Sequence, residues 1–194
     1  MIPLWLKLAY TSFLCLLAPI YWRQYGPVNF LWFSDIALFL LALALWLESP
    51  LLVSMMALAV LLPELAWNVD YFLRLTTGVS LLGLSSYMFD PSIPRFTRAL
   101  SLFHVPLPVL LIWMLARLGY DRRALLWQTL LALAVLPLSR QFSTPRENVN
   151  WVYGFGDKPQ TKTPGPWFVL FLMVMFPLAL YLPMHFLLDR LFGA

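Results

Sequence analysis

Apolar stretches of about 20 residues recur along the chain, broken by short clusters of Arg, Pro and Gly, and that length matches the hydrocarbon thickness of a bilayer. Residues 4–22 form the first, closed by Arg23, Gly26 and Pro27, and residues 30–47 the second, closed by Glu48, Ser49 and Pro50. Residues 51–75 follow, ending in a polar stretch that holds Glu64, Asn68, Asp70 and Arg74. Residues 96–118 run up to Gly119, residues 124–138 follow the Asp121-Arg122-Arg123 turn, and residues 167–188 end at Asp189 and Arg190. Residues 76–89 are few and rich in Gly and Ser. They form either a short span or a segment packed inside the bundle, since small residues let helices approach closely. Asp90-Pro91-Ser92-Ile93-Pro94 is a turn, because proline disfavours helix in the residue before it. The expectation is an all-α, polytopic transmembrane helical bundle of six spans with a candidate short seventh. It forms a single integral membrane domain over residues 1–194, with one hydrophilic loop, 140–166, before the last span.

Composition excludes a soluble fold. Only 11% of the 194 residues are charged and 61% are hydrophobic, against about 25% and 45–50% in soluble domains. So few charges cannot cover a water-facing surface. Nine tryptophans fit helices anchored at the headgroup level. The net charge of +4 does not point to nucleic acid, because the basic residues are scattered at the ends of apolar runs, where they snorkel. Cys15 is the single cysteine, so no intramolecular disulfide forms, and it is expected as a small buried apolar side chain. Residues 1–21 carry only Lys7 as a basic residue and no Ala-x-Ala site, and are read as a retained helix rather than a signal peptide. Seven spans would divide the basic residues evenly, with Arg23, Arg74, Arg117, Arg122, Arg123 and Arg190 opposite Arg95, Arg98, Arg140, Arg146, Lys158 and Lys162. The positive-inside rule then has no bias to read.

Ionisable groups at membrane depth cost about 2.5–3.5 kcal/mol each on insertion scales, so each needs a reason to be there. Asp35 lies early in the second run. Glu64 lies in the third and shares a helix face with Asn68, while Asp70 and Arg74, four apart, are expected to form an interfacial ion pair. Glu64 follows Pro63, which frees a carbonyl one turn earlier. His104 has Arg98 before it and Pro106 and Pro108 after it, and a neutral imidazole there is a general base, a ligand or a bonded helix partner. His185 is expected at the interface. No His-x-x-x-His or Glu-x-x-His spacing marks a metal site, and no cofactor is implied. Ser34, Thr76, Thr77, Ser80, Ser85, Ser86 and Ser101 are hydroxyls, none in a Gly-x-Ser-x-Gly elbow. In the hydrophilic loop, Trp151, Tyr153 and Phe155 suggest a segment folded back at the headgroups over a cavity mouth. Arg140, Arg146, Lys158 and Lys162 would then lie near lipid phosphates.

Two motifs carry a family resemblance. One is Ser86-Tyr87-Met88-Phe89-Asp90-Pro91 followed by the run from Phe96 to His104. The other is Asn148-x-Asn150-Trp151-x-Tyr153, then Lys158-Pro159, then Gly165-Pro166-Trp167. They resemble the bacterial YwaF-type integral membrane proteins, over roughly the C-terminal half. That group is distantly similar to the androgen-induced membrane hydrolases and a related phospholipid acyltransferase, six- or seven-helix bundles with a membrane His and a Thr or Cys nucleophile. The resemblance implies His104 as the membrane His and Asn148 and Asn150 as site-lining residues. It does not supply the nucleophile: Trp32 stands where the Thr is expected, so either Ser34 substitutes or the chain is not a hydrolase of that kind.

Two functions follow. The specific one is a lipid-directed ester hydrolase or acyltransferase in a bacterial inner membrane. His104 would be the base, Ser34 the nucleophile and Asp35 or Glu64 the orienting acid, with Asn68, Arg98, Asn148, Asn150, Trp151 and Tyr153 lining the substrate site. The alternative is a non-catalytic membrane protein, either a carrier or a subunit, in which the same groups line a path or join helices. Membrane lipids are the expected partners in both.

Overall fold

The computed structural model describes residues 1–156 and 159–193; Lys158, expected near lipid phosphates, lies outside them. The described residues form a bundle of α1 (Leu4–Tyr25), α2 (Phe33–Leu47), α3 (Pro50–Thr77), α4 (Arg95–Leu100), α5 (Pro106–Leu118), α6 (Ala124–Phe142), α7 (Gly165–Met175) and α8 (Leu182–Phe192). A 3-10 turn, Ser101–His104, joins α4 to α5 in one run, Arg95–Leu118, and a π-helical turn, Phe176–Tyr181, joins α7 to α8 in another, Gly165–Phe192. With α1, α3 and α6 these make five helices long and apolar enough to cross a membrane, and α2 is a shorter apolar sixth. The chain is an all-α integral membrane protein.

Local chemistry sets the ends of these helices. Pro50 opens α3 at its first turn, where no amide is needed, and the Ser49 hydroxyl accepts from the Leu52 amide at 3.4 Å. Gly78 closes α3 in the left-handed region at φ 77°, its amide donating to the Arg74 carbonyl. Pro177 has no amide to donate, and there the last span widens into the π turn. The α2 helix starts at Phe33 rather than at residue 30, because Pro27–Leu31 forms a 3-10 turn after Gly26.

Residues 76–89 do not make a seventh span. The α3 helix takes Thr76 and Thr77, bends follow Gly78, and only Ser86–Phe89 is helical, as a 3-10 turn. The cause is Asp70. Its carboxylate accepts five bonds, from the amides of Leu81, Leu82, Gly83 and Ser85 and from the Ser85 hydroxyl, at 2.7–3.2 Å. Amides satisfied by a carboxylate do not need a helix. This also overturns the expected Asp70–Arg74 pair. Arg74 instead donates to the Ser86 hydroxyl at 3.1 Å and lies over the Phe89 ring.

Helix α3 is the central element, packed on α2, α5 and α6. The alternating course of these six helical runs puts the α1–α2, α3–α4 and α6–α7 connections on one face, called here the loop face. On the opposite face the Ile2 amide donates to Glu48, the Asp121 amide to the Ser54 hydroxyl, and the Tyr120 amide to the Phe192 carbonyl. Trp22, Trp32, Trp151 and Trp167 mark the loop-face rim, and Trp5, Trp46, Trp113 and Trp127 the other, as two aromatic belts. Outward positions are oily, with Leu8, Leu16, Phe39, Leu43, Leu130, Phe171 and Leu178 among the exposed side chains. Cys15 joins them and is exposed rather than buried, because α1 is apolar all round and its sequence does not tell the inner face from the outer.

Candidate functional site

A cavity of about 640 Å³ opens in the loop-face half of the bundle. Its walls come from the ends of α1 and α2, the second half of α3, the turn before α5, and the connections near residues 82–84 and 146–151. Pro63 and Glu64 belong to this wall with Ala59 and Val60, so the proline's disruption of α3 falls at the cavity.

At the centre, Glu64 Oε2 meets His104 Nδ1 at 2.6 Å, both side chains being buried. They are 40 residues apart, brought together because α3 faces the 3-10 turn that ends at His104. Asn68 fixes their backbones. Its Nδ2 donates to the Glu64 carbonyl at 2.8 Å and to the His104 carbonyl at 2.7 Å. The imidazole is held between rings, with Trp67 stacked at 4.5 Å and Phe103 at 4.0 Å. With Glu64 ionised, Nδ1 carries the proton and donates it, leaving Nε2 as an acceptor. Among the described residues Nε2 has no hydrogen-bond partner.

Asp35 sits in the first turn of α2 and is 3% exposed. Its Oδ2 accepts from Asn29 Nδ2 at 3.1 Å, while Oδ1 has no partner among the described residues. Tyr25 Oη and Trp67 Nε1 are likewise buried without partners. All three residues line the cavity. Unsatisfied buried polar atoms are rare, so three in one cavity wall single it out as a candidate binding site. Tyr21 Oη and Ser101 Oγ pair at 2.5 Å in the same wall. Burial pushes the Tyr87 phenol well above its ordinary range, so it remains a neutral hydroxyl.

The 143–156 connection forms the lid side. Asn148, Asn150 and Trp151 adopt left-handed φ values of 42°, 52° and 59°. Asn150 accepts from the Phe33 amide at 3.0 Å and donates to the Leu31 carbonyl and to Ser139. Asn148 ties the connection to itself, accepting from the Tyr153 amide and donating to the Gly154 carbonyl.

Of the residues singled out in the sequence, Ser34, Asp35, Glu64, His104, Asn148, Asn150 and Trp151 line the cavity. Asn68, Arg98 and Tyr153 are not in its wall. Asn68 holds the Glu64–His104 pair from behind. Arg98 donates to the Met88 carbonyl at 2.8 Å, and Tyr153 bonds the Arg140 and Ser143 carbonyls beneath the Arg140 guanidinium. The Arg140 guanidinium lies over the Tyr153 ring at 4.1 Å. Ser34 lines the cavity, but no hydrogen bond among the described residues joins it to His104, so the expected nucleophile–base contact is not made. His185 pairs with Tyr120 Oη at 2.8 Å near the opposite face. Among the described residues no three His, Cys, Asp or Glu side chains converge on a metal position. Sequence reading passed over Asn29, Tyr21, Tyr25 and Trp67. The available signal was spacing: Tyr21 and Tyr25 lie one turn apart on α1, and Trp67 follows Glu64 by three. The chain matches no family model, no curated protein and no solved structure.

Proposed function

We propose that this chain is a membrane-embedded hydrolase that cleaves an ester of an amphipathic, lipid-like substrate, with His104 as general base and Glu64 as its orienting carboxylate. The observation that carries it is the 2.6 Å Glu64–His104 contact in the wall of a cavity of about 640 Å³. A carboxylate on Nδ1 fixes the tautomer that leaves Nε2 basic, the arrangement general-base catalysis needs. No hydroxyl among the described residues bonds to His104, so the nucleophile is water. Nε2 takes one water proton as the oxygen attacks the ester carbonyl. The bond to the leaving alcohol then breaks, and the imidazolium returns the proton to the alkoxide oxygen. Tyr25 Oη and Trp67 Nε1 are donors free to face the negative carbonyl oxygen.

Packing in the other half of the bundle argues against a carrier. Leu41, Leu45, Met56, Leu111, Met114 and Leu115 are all buried to 0% exposure there, with Ser54 and Gln128 as buried polar groups of that half, and mostly apolar packing disfavours a polar route.

The test is turnover of labelled phospholipid and short-chain esters by purified protein in detergent. His104→Ala should lower it by about 10²–10⁴-fold, the usual contribution of a general base. Glu64→Gln should lower it as well, with unchanged size-exclusion profiles. Equal turnover by wild type and His104→Ala would dispose of the hydrolase.

A further inference from the structure

We infer that the cavity recognises an organic ammonium group, seated between the Asp35 carboxylate and the aromatic wall, as the polar end of its ligand. The charges lining the cavity are Asp35, Glu64 and Glu147 against Arg146. Glu64 is engaged by His104, and Glu147 is an exposed rim residue whose carboxylate accepts from the Thr144 amide. Asp35 alone is left with an unmatched oxygen. It is 3% exposed, its single donor among the described residues is the neutral Asn29 amide, and Oδ1 has no partner among them. A buried carboxylate in that state is costly until it takes up a proton or a cation joins it, and a bound ammonium supplies the cation. The α2 N-terminus offers only the partial charge of a helix dipole.

The rest of the wall selects the kind of cation. Tyr25, Trp32, Tyr87, Trp151 and Phe176 are aromatic residues of the cavity lining, and Trp32 and Trp151 meet edge to face at 6.4 Å. Aromatic rings attract weakly hydrated organic ammonium ions, whereas small metal ions need several oxygen or nitrogen ligands, and none converge here among the described residues. The volume fits an ammonium group with an attached apolar body. The ammonium comes either from a free amine in water or from a zwitterionic lipid headgroup. This deepens the hydrolase proposal by naming the substrate's polar end, and its test reads binding rather than turnover, so the two fail separately.

The probes are choline and its uncharged carbon isostere 3,3-dimethylbutan-1-ol, titrated against the full chain in nonionic detergent and followed by tryptophan fluorescence. A second arm compares thermal stability in phosphatidylcholine and phosphatidylglycerol nanodiscs. Choline binding about tenfold or more tighter than the isostere supports a free amine. Stabilisation by phosphatidylcholine without choline binding supports a headgroup. Asp35→Asn should remove the preference in whichever arm shows it, while His104→Ala should keep it and lose turnover. No preference in either arm overturns the inference, as does a preference that survives in Asp35→Asn. If Asp35→Asn fails to fold, the wild-type comparison with the isostere still decides.

Discussion

Asn150 joins three elements with one side chain: it bonds the start of α2, the turn before it, and Ser139 of α6, at 2% exposure. Asn tolerates the left-handed backbone that this position adopts, where most residues do not. Asn150→Ala should destabilise the protein by about 1–3 kcal/mol, because the Phe33 amide and Leu31 carbonyl lose a buried partner. Thermal unfolding in detergent measures this, and an unchanged melting temperature would contradict the role. Asn148 and Asn150 were singled out only through the family resemblance, and their partners were not legible at all. The Phe33 contact spans 117 residues of sequence, and no local pattern encodes it. Glu64 and Asp35, both expensive to hold in a membrane, were the two orienting acids offered for His104. Which of them pairs with it depended on the phase of helices that are apolar on most sides. Where spacing did suggest a partner, at Asp70 and Arg74, it misled, since several loop amides outcompete one guanidinium at the membrane edge.

Run length located the six helices to within a few residues, because a bilayer demands a fixed rise whatever the side chains. It failed for residues 76–89, where Asp70 organises a connection that composition left undecided. The α1–α2 pair carries a further lock at the opposite face. Glu48 caps α2 and accepts from Lys7 Nζ at 2.8 Å and from the Ile2 amide at 3.0 Å. The Lys7 ammonium and the amide hold the Glu48 carboxyl below its ordinary value of 4.5. A carboxyl whose folded value is depressed stabilises fully above its unfolded value, and that stability is lost as pH falls from about 4.5 through the folded value. Wild type should therefore melt above Glu48→Gln at pH 7, with the gap closing toward pH 3. A gap that persists in acid would rule the lock out.

Six helical runs, without a seventh at residues 76–89, change the charge balance between the two faces of the bundle. Among the described residues Arg23, Arg74, Arg95, Arg98, Arg140, Arg146 and Lys162 lie toward the loop face, and Lys7, Arg117, Arg122, Arg123 and Arg190 toward the other. By the positive-inside rule the richer, cavity-bearing face is expected to be the cytoplasmic one, which labelling tests. In a Cys15→Ser background, an impermeant maleimide should label Arg122→Cys in intact cells and Arg146→Cys only after permeabilisation; the reverse pattern inverts the topology. The cavity has an electrical consequence. Were it filled with water from the loop face, the insulating septum would be only the packed half beyond His104. Most of the transmembrane voltage would then fall across that half, and protons would reach the site from a single compartment. In sealed vesicles, acidifying the loop-face side should alter turnover, and acidifying the other side should leave it unchanged.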